Sequence, residues 1–291
     1  GQVVGLLEKT VDGQTVRAGF YLDLDILSES PLPTWDYLPT PTGSTFFYGR
    51  KINNNGDVIV PFRQVDGTRR AYLFNPSEYN PADPATDYEI LTDPSGAQLS
   101  LLNYWVNLND SGQVIGTLTD FTFRLTPGVA IESLPIESTL KAAINNYGEV
   151  SGEIRVSDGR KKRSTTRTTS VRISDLGDIE LINENTSETE DLNQSGDVVG
   201  FEYNERLTPF VYHSDVDGNT GYGLFYLDDV VTGSADDLEF WFGSYPRNCR
   251  MNDRDAGTGF GEIAIEARRV IVTGKCKNRT EVRRQRVFLL T

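Results

Sequence analysis

Apolar residues along this chain come in short alternating or continuous runs, and compact polar knots separate them. "INNNGDVIV" covers 52–60, and the same order of residue types returns as "LNDSGQVIG" at 108–116, "INNYGEVSG" at 144–152 and "LNQSGDVVG" at 192–200. A worn copy, "MNDRDAGTG", covers 251–259 with Asp255 in place of glycine, and the chain opens on "GQVVG", the second half of the unit. Aligned on that glycine, the copies fall at 1, 56, 112, 148, 196 and 255, giving intervals of 55, 56, 36, 48 and 59 residues. Such uneven spacing suits sheet repeats with loops of variable length better than a strict solenoid.

Each unit predicts a hairpin. Asn53, Asn109, Asn145 and Asn193 take the first turn position, where the side chain can accept from backbone ahead of it. Gly56, Gly112, Gly148 and Gly196 take the fourth, where a left-handed conformation is favoured. A second strand follows in "RAGFYLDL", "RRAYLFNP", "FTFRLTP", "TSVRIS", "TPFVYHS" and "RVFLLT", and a third in "DYLP", "YEIL", "IESLP", "IELI" and "LFYLDD". A further short strand leads into the next turn, so each unit holds four strands, with hardly a helical stretch anywhere. "SADDLEFWF" at 234–242 reads equally as a helical turn or an edge strand. The expected fold is all-β, a β-propeller of about six irregular blades in a single domain over residues 1–291, with another repeat-built all-β fold as the alternative. The first copy begins after its turn and the last stops after its second strand, so the two ends are expected to share one blade or to belong to a longer chain.

The pattern Ile/Leu-Asn-x-x-Gly-x-Val-x-Gly, followed by a small residue, an aromatic and an aliphatic pair, resembles the extracellular HAF-repeat family. The stretch from "LDDVVTGSADDLEFW" through "MNDRD" to "RRQRVFLLT" is especially similar. No repeat carries the His-Ala-Phe tripeptide itself; Ala71-Tyr72 and Val287-Phe288 stand nearest to it. The resemblance implies a secreted, propeller-like repeat protein without a defined activity. In such a secreted β protein Cys249 and Cys276 are expected to be bridged, whereas in the cytosol they would be free thiols. A bridge there would stabilise the end of the chain by about 3–4 kcal/mol in the chain-entropy model.

Charge narrows the partners. With 42 acids, 28 bases and a net charge of −14, the chain is a poor match for nucleic acid or for an anionic membrane surface. It has no run of about 18 apolar residues, so no membrane insertion is expected. Asp175–Glu205 holds ten acids and no Lys or Arg, whereas Arg247–Thr291 holds eleven bases against five acids; "RKKRSTTRTTSVR" at 160–172 is a second basic stretch. These read as solvated hairpin faces, or as surfaces that dock copies of the chain head-to-tail or hold an acidic polymer.

Candidate chemistry is sparse. His213 is the one histidine, so triads that need a histidine rest on it alone and a multi-histidine zinc site is excluded; a polar residue closing a strand is its plainer role. Carboxylate pairs for glycoside hydrolysis or lyase chemistry remain open, with Asp228, Asp229, Asp236, Asp237 and Glu239 beside Trp241, but no spacing selects a pair. Asp215, Asp217 and Asn219 alternate in "DVDGN" as in loops that wrap Ca²⁺, the one cofactor suggested. Tyr226 stands where an EF-hand would need an acid, and a simple Asp-Gly hairpin is the plainer reading. Trp35, Trp105 and Trp241 are expected to pack between blades, and one at a rim would suit a sugar ring. The expected function is a non-enzymatic binding or structural, adhesive module outside the cell, for a glycan, a protein or further copies of itself. A polysaccharide-active enzyme on the same scaffold is the alternative.

Overall fold

A computed structural model describes residues 2–11, 14–23, 36–78, 88–119, 121–137, 142–157, 166–203, 207–213, 223–226, 249–251, 263–273 and 280–290. The chain separates into two compact units, Gly1–Leu140 and Lys141–Thr291. Both are built from antiparallel strands, and the one short helix among the described residues is a 3-10 turn at Pro76–Glu78. The protein is all-β.

In the first unit, β1 (Gln2–Val11), β2 (Gln14–Asp23) and β3 (Asp36–Tyr37) form one sheet in that order. The next sheet contains nine strands. One group is β4 (Ser44–Phe47), β5 (Lys51–Ile52), β6 (Val58–Gln64), β7 (Arg69–Phe74) and β8 (Tyr88–Ile90). The other is β9 (Leu101–Leu108), β10 (Val114–Leu118), β11 (Thr122–Leu125) and β12 (Glu132–Leu134). The two groups meet through the pairing of Arg69 with Leu101.

Among the described residues the second unit holds three sheets. The first is β13 (Ala143–Ile144), β14 (Val150–Ser157), β15 (Thr166–Ile173) and β16 (Ile179–Leu181), in that order. The second is β17 (Ser187–Leu192), β18 (Val198–Tyr203), β19 (Leu207–His213) and β20 (Gly223–Tyr226). The third is β21 (Cys249–Met251), β22 (Ile263–Thr273) and β23 (Thr280–Leu290). Each strand after an Asn-x-x-Gly turn pairs with the aromatic or aliphatic strand that follows it, and that strand with the short third one.

Period-two alternation sorts the apolar residues of β6 and β7 onto two faces, and both are covered. Val58, Val60, Phe62, Tyr72 and Phe74 pack with Tyr21 and Leu38, while Ile59 and Ala71 pack with Leu101, Val106, Val114 and Phe123. A strand buried on both faces has no need of polar residues at alternate positions, which accounts for the unbroken "VIVPF".

The closing glycine of the repeat has a packing role. Gly5, Gly116 and Gly200 stand opposite Phe20, Phe123 and Phe210 in the next strand. A Cβ at these glycines would lie 3.0, 2.9 and 2.6 Å from the facing ring, so the missing side chain is the space the ring occupies. In the copy at 52–60, Val60 takes this place opposite Tyr72, whose hydroxyl donates to the Pro39 carbonyl at 2.6 Å.

Candidate functional site

The repeated turns are themselves joints. Gly56, Gly112, Gly148 and Gly196 have φ of 87°, 73°, 82° and 79°. In each turn the glycine N–H donates to the asparagine carbonyl at 3.1 Å, and the asparagine N–H donates across the turn to the carbonyl four residues on. Asparagine Oδ1 accepts from the N–H at that fourth residue, at 2.8 Å for Asp57, 2.9 Å for Gln113, 3.0 Å for Glu149 and 2.8 Å for Asp197. Its Nδ2 donates to the side chain of the same residue at 2.9, 2.7, 2.7 and 3.0 Å. The repeat therefore requires an acid or amide at a position that sequence reading leaves open; the signal is the Asp, Gln, Glu, Asp series itself.

The second use of Nδ2 reaches outside the turn. Asn53 Nδ2 donates to the carbonyl of Asn109, and Asn145 Nδ2 to that of Asn193, both at 3.1 Å. Turn tips add further bonds: Asn54 donates from its backbone and its side chain to Asp110 at 2.7 and 2.8 Å, and the Asn146 N–H donates to Gln194 at 2.8 Å. All four asparagines are buried, so each of these groups would be costly to leave unpaired. Two exposed turns show the contrast. Asp93 and Ser174 form the same five-residue turn before Gly96 and Gly177, with an acceptor alone and no lateral donor.

The acid-rich stretch Asp175–Glu205 differs from a solvated face. Glu190, Asp191, Asp197 and Glu202 are buried, as is Glu153 of β14. A buried carboxylate costs several kcal/mol unless donors replace its water. They are supplied between the first and second sheets of this unit. Glu153 Oε1 accepts from the Thr189 N–H at 3.0 Å and from its hydroxyl at 3.4 Å. Glu202 accepts from Asn183 Nδ2 at 2.9 Å, from Asn185 Nδ2 at 3.0 Å and from the Tyr226 hydroxyl. Glu180 accepts from the Tyr212 hydroxyl and sits 3.3 Å from Arg172, which also lies 3.5 Å from Glu149. Burial, then the bond to Glu202, pushes the Tyr226 phenol up to about 12. The Tyr203 phenol moves the same way, through burial and then its bond to Glu188. His213 closes β19, with Nδ1 3.3 Å from Asp197 Oδ1. Glu153 and Glu180 thus tie the two sheets together, Glu202 anchors the segment between them, and their lone pairs already accept from the protein.

A different constellation stands in the first unit. Tyr48 and Arg50 follow β4, Arg69 opens β7, and Tyr104 and Trp105 belong to β9. The Arg50 guanidinium lies 3.7 Å from the Trp105 ring centre, and that of Arg69 lies 5.3 Å from the Tyr104 ring centre. Tyr48 meets Tyr104 edge-on, with centres 6.5 Å apart. Burial pushes the Tyr48 phenol up, with Arg50 opposing the shift. Arg69 Nη1 donates to the Leu102 carbonyl at 2.7 Å, while its buried Nε has no hydrogen-bond partner. All five side chains are half-buried. Stacking on a ring leaves the in-plane edge of a guanidinium available to acceptors, and among the described residues Arg69 uses one such donor, toward Leu102.

Of the sequence candidates, the structure brings the four asparagines and four glycines into joints and places Trp105 in this cluster. Asp215, Asp217 and Asn219, the acids Asp228, Asp229, Asp236, Asp237 and Glu239, and Trp35 and Trp241 lie outside the described residues. Cys249 opens β21, and its expected partner Cys276 also lies outside them. Among the described residues no group of three or more His, Cys, Asp or Glu is placed to hold a metal ion. Among the described residues no helix is long and apolar enough to cross a membrane. Sequence reading missed Tyr48, Arg50, Arg69 and Tyr104, which come from three separate strand regions and share no motif. No protein-family model matches the chain, and no curated protein matches it.

Proposed function

We propose that this chain is a secreted or cell-surface β-propeller of about six irregular blades that binds an extracellular glycan or protein without altering it chemically. The observation that carries this reading is a division of labour between charged groups. Buried Glu153 and half-buried Glu180 accept from the neighbouring sheet, and buried Glu202 accepts from the segment that joins the two sheets. Arg50 and Arg69, by contrast, rest on aromatic rings in a half-buried cluster. The first arrangement suits a rigid scaffold, the second a recognition surface.

Incubation of the purified chain with a panel of polysaccharides and extracellular proteins tests the reading. One or more should be retained on immobilised protein, with no new reducing ends and no unsaturated sugar products. Cleavage that disappears in Glu202→Gln would favour the polysaccharide-active enzyme instead, and an empty panel would count against a binding module.

A further inference from the structure

We infer that Tyr48, Arg50, Arg69, Tyr104 and Trp105 form a subsite for an anionic saccharide, a sugar ring bearing a carboxylate or sulfate. The inference rests on the binding-module reading and names its ligand class. Arg69 makes one hydrogen bond, to the Leu102 carbonyl, and one ring contact, to Tyr104; among the described residues no carboxylate pairs with it. That is unusual in a chain with 42 acids, where a partner was easily supplied. Among the described residues its buried Nε has no hydrogen-bond partner. Nε is closed off from solvent, but Nη2 makes no hydrogen bond to the described residues and is not among the buried atoms, so an acceptor from outside meets the guanidinium at its outer edge.

The aromatic rings define the rest of the ligand. Tyr48, Tyr104 and Trp105 are half-buried aromatic side chains, and the two tyrosine rings meet edge-on. This suits a pyranose, which is apolar on its C–H faces and polar around its rim. Net charge decides between kinds of anion. At physiological salt, charges beyond about 8 Å are screened, so two arginines control a bound group at close range. A densely charged polymer such as nucleic acid meets the repulsion of the whole chain at −14, whereas a saccharide with one charge per ring or fewer meets it far less.

The experiment is calorimetric titration of the full chain with four probes of similar length: an oligouronate, a sulfated oligosaccharide, a neutral oligoglucoside and an oligoglutamate peptide. The oligouronate or the sulfated sugar should bind at least tenfold more tightly than the neutral sugar and the peptide, and the two anionic arms identify the charged group. Arg69→Gln should weaken that binding at least tenfold, with Arg69→Lys restoring only part of it because the planar fork is lost. Arg50→Gln is the second variant should Arg69→Gln fail to fold, as judged by its thermal midpoint. Equal binding of the neutral sugar, competition by the peptide at the same affinity, absence of binding to either anionic sugar, or unchanged affinity in a folded Arg69→Gln each overturns the subsite. Neutral-sugar binding would leave the binding-module reading standing, whereas cleavage of any probe would overturn that reading.

Discussion

Asparagine at the joints is a choice that aspartate or serine could not fill. Asn145 Oδ1 closes its own turn by accepting from Tyr147 and Glu149 N–H groups at 3.1 and 3.0 Å, while Nδ2 donates to Glu149 and to the Asn193 carbonyl. Asn145→Asp retains the acceptor, removes both donations and sets a carboxylate against that of Glu149. We expect a loss of about 1–3 kcal/mol, measured by urea unfolding followed with circular dichroism. Ser174→Asp, in an exposed turn that already works with an acceptor alone, should stay within about 0.5 kcal/mol of the parent. Equal losses in the two variants would mean that the lateral bond carries no stability. The turn itself is readable from nine residues because all its bonds are local. The lateral bond is not, because its acceptor lies 56 residues away for Asn53 and 48 for Asn145.

At the scale of strands, the aromatic residue of the second strand and the glycine of the first are one feature seen twice, as Phe123 over Gly116 shows. Strand order within a repeat was therefore legible from short patterns. The acid-rich stretch was not: composition counts Glu190, Asp191, Asp197 and Glu202 as surface residues, and only the folded sheets reveal donors such as Asn183, Asn185 and Thr189 beside the buried acids of this unit. The Tyr226–Glu202 bond at this junction has a measurable signature. A free phenol titrates near 10.0 and the folded Tyr226 near 12. Above pH 10 the unfolded chain therefore holds fewer protons than the folded one, and this contribution to stability falls as pH rises from about 10 to about 12. Tyr226→Phe should make the fall in thermal midpoint over that window shallower. It should not abolish it, because Tyr72 and Tyr203 are shifted in the same direction by burial. An unchanged slope would show that Tyr226 is not held as described.

For the whole molecule, the buried acids alter what charge can do between copies. Asp175, Asp178 and Glu184 are exposed, while four acids of the same stretch are buried and Glu180 is engaged by Arg172 and Tyr212. Head-to-tail docking driven by this stretch would therefore have far less charge to draw on than the count of ten suggests. We expect sedimentation to give the same mass at low and high salt; a larger species that dissolves as salt is added would restore docking by charge. The lateral asparagine bond has a different consequence, for descent. It joins neighbouring turns at 3.1 Å in both observed pairs although the intervening chain differs by eight residues, 56 against 48. Loop length and joint geometry are thus uncoupled, and a copied or deleted repeat would meet its new neighbour through the same two atoms. Genes of this kind can gain and lose units by recombination without redesigning a seam, which fits a chain whose copies keep their turns while the segments between them drift.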